Sequence, residues 1–147
     1  MRSFRDETGD SMDRMFFKRA GGMTVIELMI VLVVVAVLVA LAYPSYINYV
    51  RKARRGEAQQ LLMNWSINQE VFRANNTSYA ADNNVNLPKP QHDNYTFSTP
   101  TAPTAIAYTL RAVATGDQVN DNARDGTSCT TMEIVQGGAK TPASCWD

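Results

Sequence analysis

The sequence predicts an α+β protein. A long N-terminal helix, apolar in its first half and amphipathic in its second, packs on a small antiparallel sheet of about three to four strands. Three observations lead there. Residues 23–42 carry one charged residue, Glu27. Beyond Pro44, apolar residues recur mostly at three- and four-residue steps as far as Phe72. Later, short runs alternate apolar with small or polar residues, and Cys129 and Cys145 sit near the end of the chain.

The elements follow in order. Residues 1–22 are polar and mixed in charge, unlike a secretory signal; Met1, Met12 and Met15 are alternative starts. Lys18 and Arg19 favour a cytoplasmic position for this end. Arg51, Lys52, Arg54 and Arg55 follow the apolar run, however, so counting charges does not decide orientation. Residues 24–42 span about 30 Å as a helix, the thickness of a hydrocarbon core. A carboxylate at the mouth of such a run is costly unless paired. A cut between Gly22 and Met23 would create an ammonium four residues upstream of Glu27. That ammonium could pair with Glu27 within one helix or between neighbouring identical helices.

Pro44 removes a backbone donor and clashes with the preceding turn, so a kink or local melting is expected over 40–44. Past it, Tyr46, Val50, Ala53, Leu61, Trp65 and Phe72 form an apolar stripe, with Trp65 and Phe72 as packing residues. Arg51, Lys52, Arg55, Gln59 and Gln69 fall on the opposite, polar side; Arg51, Lys52, Arg54 and Arg55, just beyond the span, would meet headgroups or neighbouring subunits. Glu70 and Arg73 form a local pair. Residues 74–91, rich in Asn with Pro88 and Pro90, read as a loop, and His92 as a solvated loop residue. Strands are expected over 95–99, 106–114 and 129–135, the last ended by Gly137 and Gly138.

Chemistry-bearing residues are few. Asp117, Asp121 and Asp125 share a loop, but Ala123 and Met132 stand where a calcium loop needs ligands. Two cysteines and one distant His92 fall short of a zinc site. No cofactor is expected, and no nucleophile with a base or paired carboxylates is evident, so an enzyme is not expected. If an anchor exports the remainder, the even cysteine count favours a Cys129–Cys145 disulfide. Its loop of about 15 residues is worth ~3 kcal/mol in the chain-entropy model. Without residues 1–22 the chain keeps nine bases and ten acids. That balance argues against wholesale nucleic-acid binding and suits packing among many copies.

Gly22, Met23, Thr24, Glu27 and Leu28, the apolar run, and Tyr43-Pro44-Ser45-Tyr46 with Tyr49-Val50 resemble the processing site and helix of type IV prepilins. The resemblance implies the type IV pilin fold and three segments. These are a leader over 1–22 that is removed, a transmembrane and filament-core helix over 23–43, and a globule over 44–147 that is periplasmic and then extracellular. It implies cleavage at Gly22/Met23 and N-methylation of Met23 by a prepilin peptidase, with Glu27 as the assembly salt bridge. The long leader and Met at the first mature position are type IVb traits; the Tyr43–Tyr46 block looks like type IVa, which is the branch favoured. Arg124-Asp125, Cys129, Gly137, Lys140 and Cys145-Trp146 resemble PilE-like minor pilins.

The expected role is a structural or initiating minor subunit in pilus assembly, hence in twitching motility, adhesion or DNA uptake. Implied partners are other pilin subunits in a homo- or hetero-oligomeric filament, the inner membrane and its pilus assembly machinery. Two alternatives stand beside it: a DNA-receptor or adhesive pilin, and a pseudopilin of type II secretion. DNA binding ranks below assembly, because Arg73, Lys89, Arg111, Arg124 and Lys140 are widely spaced in sequence.

Overall fold

The helix α1 runs over Val25–Ala74, fifty residues. The computed structural model describes residues 22–147; of the leader expected over 1–22, all but Gly22 lies outside them. Thr24 starts α1. Its Oγ1 accepts the Glu27 N–H at 3.2 Å, and its carbonyl accepts the Leu28 N–H. A Thr cap with Glu three residues later is a strong helix-start pattern. The helix contains Pro44 in its interior and continues through it. One missing donor leaves the rest of the hydrogen-bond ladder in place. Residues 40–44 are helical, so the local melting expected there does not occur.

The described residues form two units, divided between Ala40 and Leu41. In the first, the large apolar residues from Val25 to Val39 are all exposed, as in a helix whose packing partner is lipid or other helices. α1 is long and apolar enough near its start to cross a membrane.

The second unit holds an antiparallel sheet in the order β1-β2-β3-β4: β1 Tyr95–Ser98, β2 Thr109–Ala114, β3 Thr131–Val135 and β4 Lys140–Thr141. Tyr95 faces Ala114, Leu110 faces Ile134 and Glu133 faces Thr141. Alternation puts Tyr95, Phe97, Leu110, Ala112, Met132 and Ile134 on one face. They pack with Ala58, Leu62 and Trp65 of α1 in one core. Tyr79 and Tyr108 meet edge-on there, centroids 4.7 Å apart.

The buried stripe of α1 is not the expected one. It comprises Arg55, Ala58, Leu62, Trp65 and Gln69, while Tyr46 and Ala53 are exposed. Leu61, Phe72 and Val50 are half-buried flanks. Apolar periodicity misplaced the face because two polar residues on the true one find buried partners. Gln69 works as a peptide mimic: its Nε2 donates to the Ala80 carbonyl and its Oε1 accepts the Ala80 N–H, both at 2.8 Å. The Glu70–Arg73 pair is replaced too. Glu70 accepts from the Tyr79 hydroxyl at 2.9 Å, and Arg73 donates to the carbonyls of Ala105 and Asn76. Neutral partners in reach outbid an exposed helical ion pair of small worth.

Candidate functional site

Three polar residues on one line of α1, Arg51, Arg55 and Gln59, hold the C-terminal third of the chain. Spaced four apart, they project from one face. Arg51 forks onto Asp117, Nη2 to Oδ1 at 2.8 Å and Nε to Oδ2 at 3.1 Å. One turn on, Arg55 Nη1 lies 3.1 Å from both Asp121 Oδ2 and Cys129 Sγ. One turn further, Gln59 Nε2 donates to the Cys145 carbonyl at 2.5 Å. Asp117 and Asp121 repeat the four-residue spacing from the short 3-10 helix Gly116–Asn120 and its end. Gln118, fully buried between them, donates to the Arg51 carbonyl and the Tyr95 hydroxyl.

One expectation is corrected here. Arg51 and Arg55 are tied within the chain and so are not available to headgroups or neighbours. Two of the loop's three acids, Asp117 and Asp121, are taken by arginine. The Arg51 hydrogen bonds hold the Asp117 carboxyl below its ordinary value. Burial pushes the Asp121 carboxyl up, with Arg55 pulling it part of the way back.

Cys129 and Cys145 form a disulfide, both fully buried. It ties the end of the Asp121–Cys129 loop to the tail, where Ala143–Trp146 makes a last 3-10 turn. Asp125 Oδ1 accepts the Thr127 N–H at 2.9 Å, and this bond together with Ser144 keeps its carboxyl low. The loop and the tail therefore abut. Arg124, in this loop, is exposed, and in the tail the Lys140 ammonium stands 4.9 Å over the Trp146 ring. The Trp146 indole N–H reaches the Thr141 carbonyl at 3.5 Å. The arrangement presents cations and an aromatic ring on a covalently tied frame.

The other sequence-derived residues lie apart from this frame along the chain. Gly22 and Met23 precede α1, and both are exposed. Glu27 occupies the first turn of α1. His92 is no solvated loop residue: its side chain is 12% exposed, its Nε2 is 3.1 Å from Glu57, and its Nδ1 accepts the Asn94 N–H at 3.0 Å. The arginine–aspartate pairs escaped sequence reasoning. A signal existed: 51 and 55 on one side and 117 and 121 on the other share the same spacing.

Comparison with known proteins follows this layout. Residues 44–133 match the family described as type IV minor pilin ComP, DNA uptake sequence receptor. Residues 17–43 match the prokaryotic N-terminal methylation motif. A solved type IV pilin from Shewanella oneidensis is similar at 26% identity and a TM-score of 0.51, over 66% of this chain and 98% of that one. No curated protein matches. A long helix, a four-stranded antiparallel sheet, a disulfide-closed tail and a family match over more than half its length place the chain in the ComP family of type IV minor pilins.

Proposed function

We propose that this minor pilin subunit captures DNA at the surface of a type IV pilus, through the disulfide-closed tail and the loop beside it. One observation carries the reading: the match to a family described as DNA uptake sequence receptors covers residues 44–133, which include the arginine–aspartate clasp and the Arg124 loop. This reverses the order in which assembly and DNA binding ranked from sequence spacing. Arg124 and Lys140, 16 residues apart in the chain, are attached to the loop and tail that one disulfide joins. Cations on a rigid frame neutralise phosphates, and an indole adds apolar contact.

The route to the pilus is part of the proposal. The chain is cut between Gly22 and Met23 by a prepilin peptidase and methylated at Met23. Residues 23–43 anchor it in the inner membrane with 44–147 in the periplasm. Pairing of Glu27 with the Met23 amine then admits it to the filament, a non-enzymatic role throughout.

The test uses the mature full-length chain in detergent and fluorescent duplex DNA, followed by anisotropy across a salt series. Wild type should bind, with log K falling linearly against log salt. Lys140→Gln should weaken binding and reduce that slope by about one. Absence of binding at low salt, or an unchanged slope in both Lys140→Gln and Arg124→Gln, would refute the tail as the DNA-contacting surface.

A further inference from the structure

A groove of about 690 Å³ lies beside α1, between Tyr46, Tyr49, Arg54 and Glu57 on the helix and the segment carrying His92 and Asp93. It plays no part in the clasp. Arg51 and Arg55 are consumed by Asp117 and Asp121, but Arg54 makes no ion pair or side-chain hydrogen bond among the described residues. Asp93 is exposed and equally free among them. Glu57 offers one oxygen to His92 Nε2 at 3.1 Å and is 65% exposed. His92 Nδ1 accepts the Asn94 N–H at 3.0 Å, which leaves its Nε2 facing Glu57. Beside His92 the groove sets one guanidinium, Arg54, and two carboxylates, Glu57 and Asp93.

That charge pattern selects its ligand. An anionic group alone meets two carboxylates, and a cationic group alone meets the guanidinium. A phosphate joined to a primary ammonium satisfies both ends: phosphate on Arg54, ammonium between Glu57 and Asp93. Position points the same way. Tyr46 and Tyr49, which line one end of the groove on the helix, lie about 6–10 Å of helix beyond Ala42, the end of the apolar run, which is headgroup level. Tyr43, Tyr46 and Tyr49 are 63%, 64% and 74% exposed. Tyrosines so placed suit a membrane–water boundary. Helical side chains lean toward the N-terminus, so Arg54 leans toward the end of the helix that carries Tyr46 and Tyr49.

We propose that this groove holds the headgroup of an amine-bearing phospholipid while the subunit is still a membrane protein. The inference rests on the membrane-spanning reading of the helix and is independent of DNA capture. The mature chain would be placed in nanodiscs of phosphatidylethanolamine, phosphatidylcholine and phosphatidylglycerol, and the lipids retained on release counted by native mass spectrometry. Phosphatidylethanolamine should be retained in preference to the other two. Arg54→Gln and Asp93→Asn should each cut its retention roughly tenfold, the order expected for one charge-assisted hydrogen bond. Lys52→Gln, outside the groove, should not. Asp93→Asn, in an exposed segment, keeps the test valid should Arg54→Gln fail to fold. Equal retention of the three lipids overturns the proposal. So does a variant that keeps the lipid yet fails to enter filaments, which would make the groove a seat for a neighbouring subunit.

Discussion

Arg51 and Arg55 stand one helical turn apart and differ in what their loss should do. The Arg55 and Asp121 side chains are 5% and 4% exposed, whereas Asp117 is 57% exposed. Removing one partner of a buried pair strands the other charge. Arg55→Met should therefore cost about 3–5 kcal/mol of stability in denaturant unfolding, and adding Asp121→Asn should recover most of it. Arg51→Gln, which breaks a pair that water already screens, should cost far less. Equal losses would mean that Arg55 is not buried as an ion pair. Tyr95 supplies a pH signature. Burial pushes its phenol up to about 12, against a pull from Gln118. A group raised in the folded state contributes stability that is complete below its unfolded value, near 10, and lost as pH rises through about 12. Thermal melts of wild type and Tyr95→Phe should therefore converge, or cross in favour of the variant, between pH 10 and 12. Parallel curves over that range would show that Tyr95 titrates freely. In sequence both arginines read as one polar face; the matched spacing of 51/55 and 117/121 hints at partners, but only the folded loop brings Asp117 and Asp121 to them.

At the scale of elements, the start of α1 serves two purposes that substitution can separate. Thr24 caps the helix, and Glu27 lies in its first turn, where an acid also meets the positive end of the helix dipole. Glu27→Gln keeps length and polarity and removes the charge. Membrane insertion should be unchanged or improved, while incorporation into filaments should be lost because the Met23 amine has no counter-charge. Thr24→Ala should cost about 1 kcal/mol at the helix start and leave incorporation largely intact. Counting subunits in sheared filaments checks both, and normal incorporation of Glu27→Gln would sink the pairing role. The elements themselves were largely legible. The expected strands at 95–99, 106–114 and 129–135 appear as Tyr95–Ser98, Thr109–Ala114 and Thr131–Val135. Ile106 stays outside the sheet at 80% exposure. Strand β4 has two residues, too few to show any period.

For the whole molecule, cleavage after Gly22 and methylation of Met23 should yield a mature chain that begins at Met23 and is one methyl group heavier than its sequence. Intact-mass analysis checks this, and a chain cut elsewhere would remove the Met23–Glu27 pair altogether. Composition and order alone dictate the apolar helix with its single acid, the helix-then-sheet plan and the cysteine pair. Each of these is a local or counting property: a run long enough for a bilayer, a repeat of 3.6 or 2, an even number of thiols in an exported segment. Which face of α1 turns inward is a different kind of fact. It depends on whether a polar side chain finds a buried partner, and those partners lie far along the chain: Ala80 for Gln69, Asp121 for Arg55, the Cys145 carbonyl for Gln59. A hydropathy pattern ranks Arg55 and Gln69 as surface because it counts their transfer cost and cannot count the hydrogen bonds that offset it. Only the tertiary structure brings those atoms to within hydrogen-bond distance, and with them the clasp that sets the tail in place.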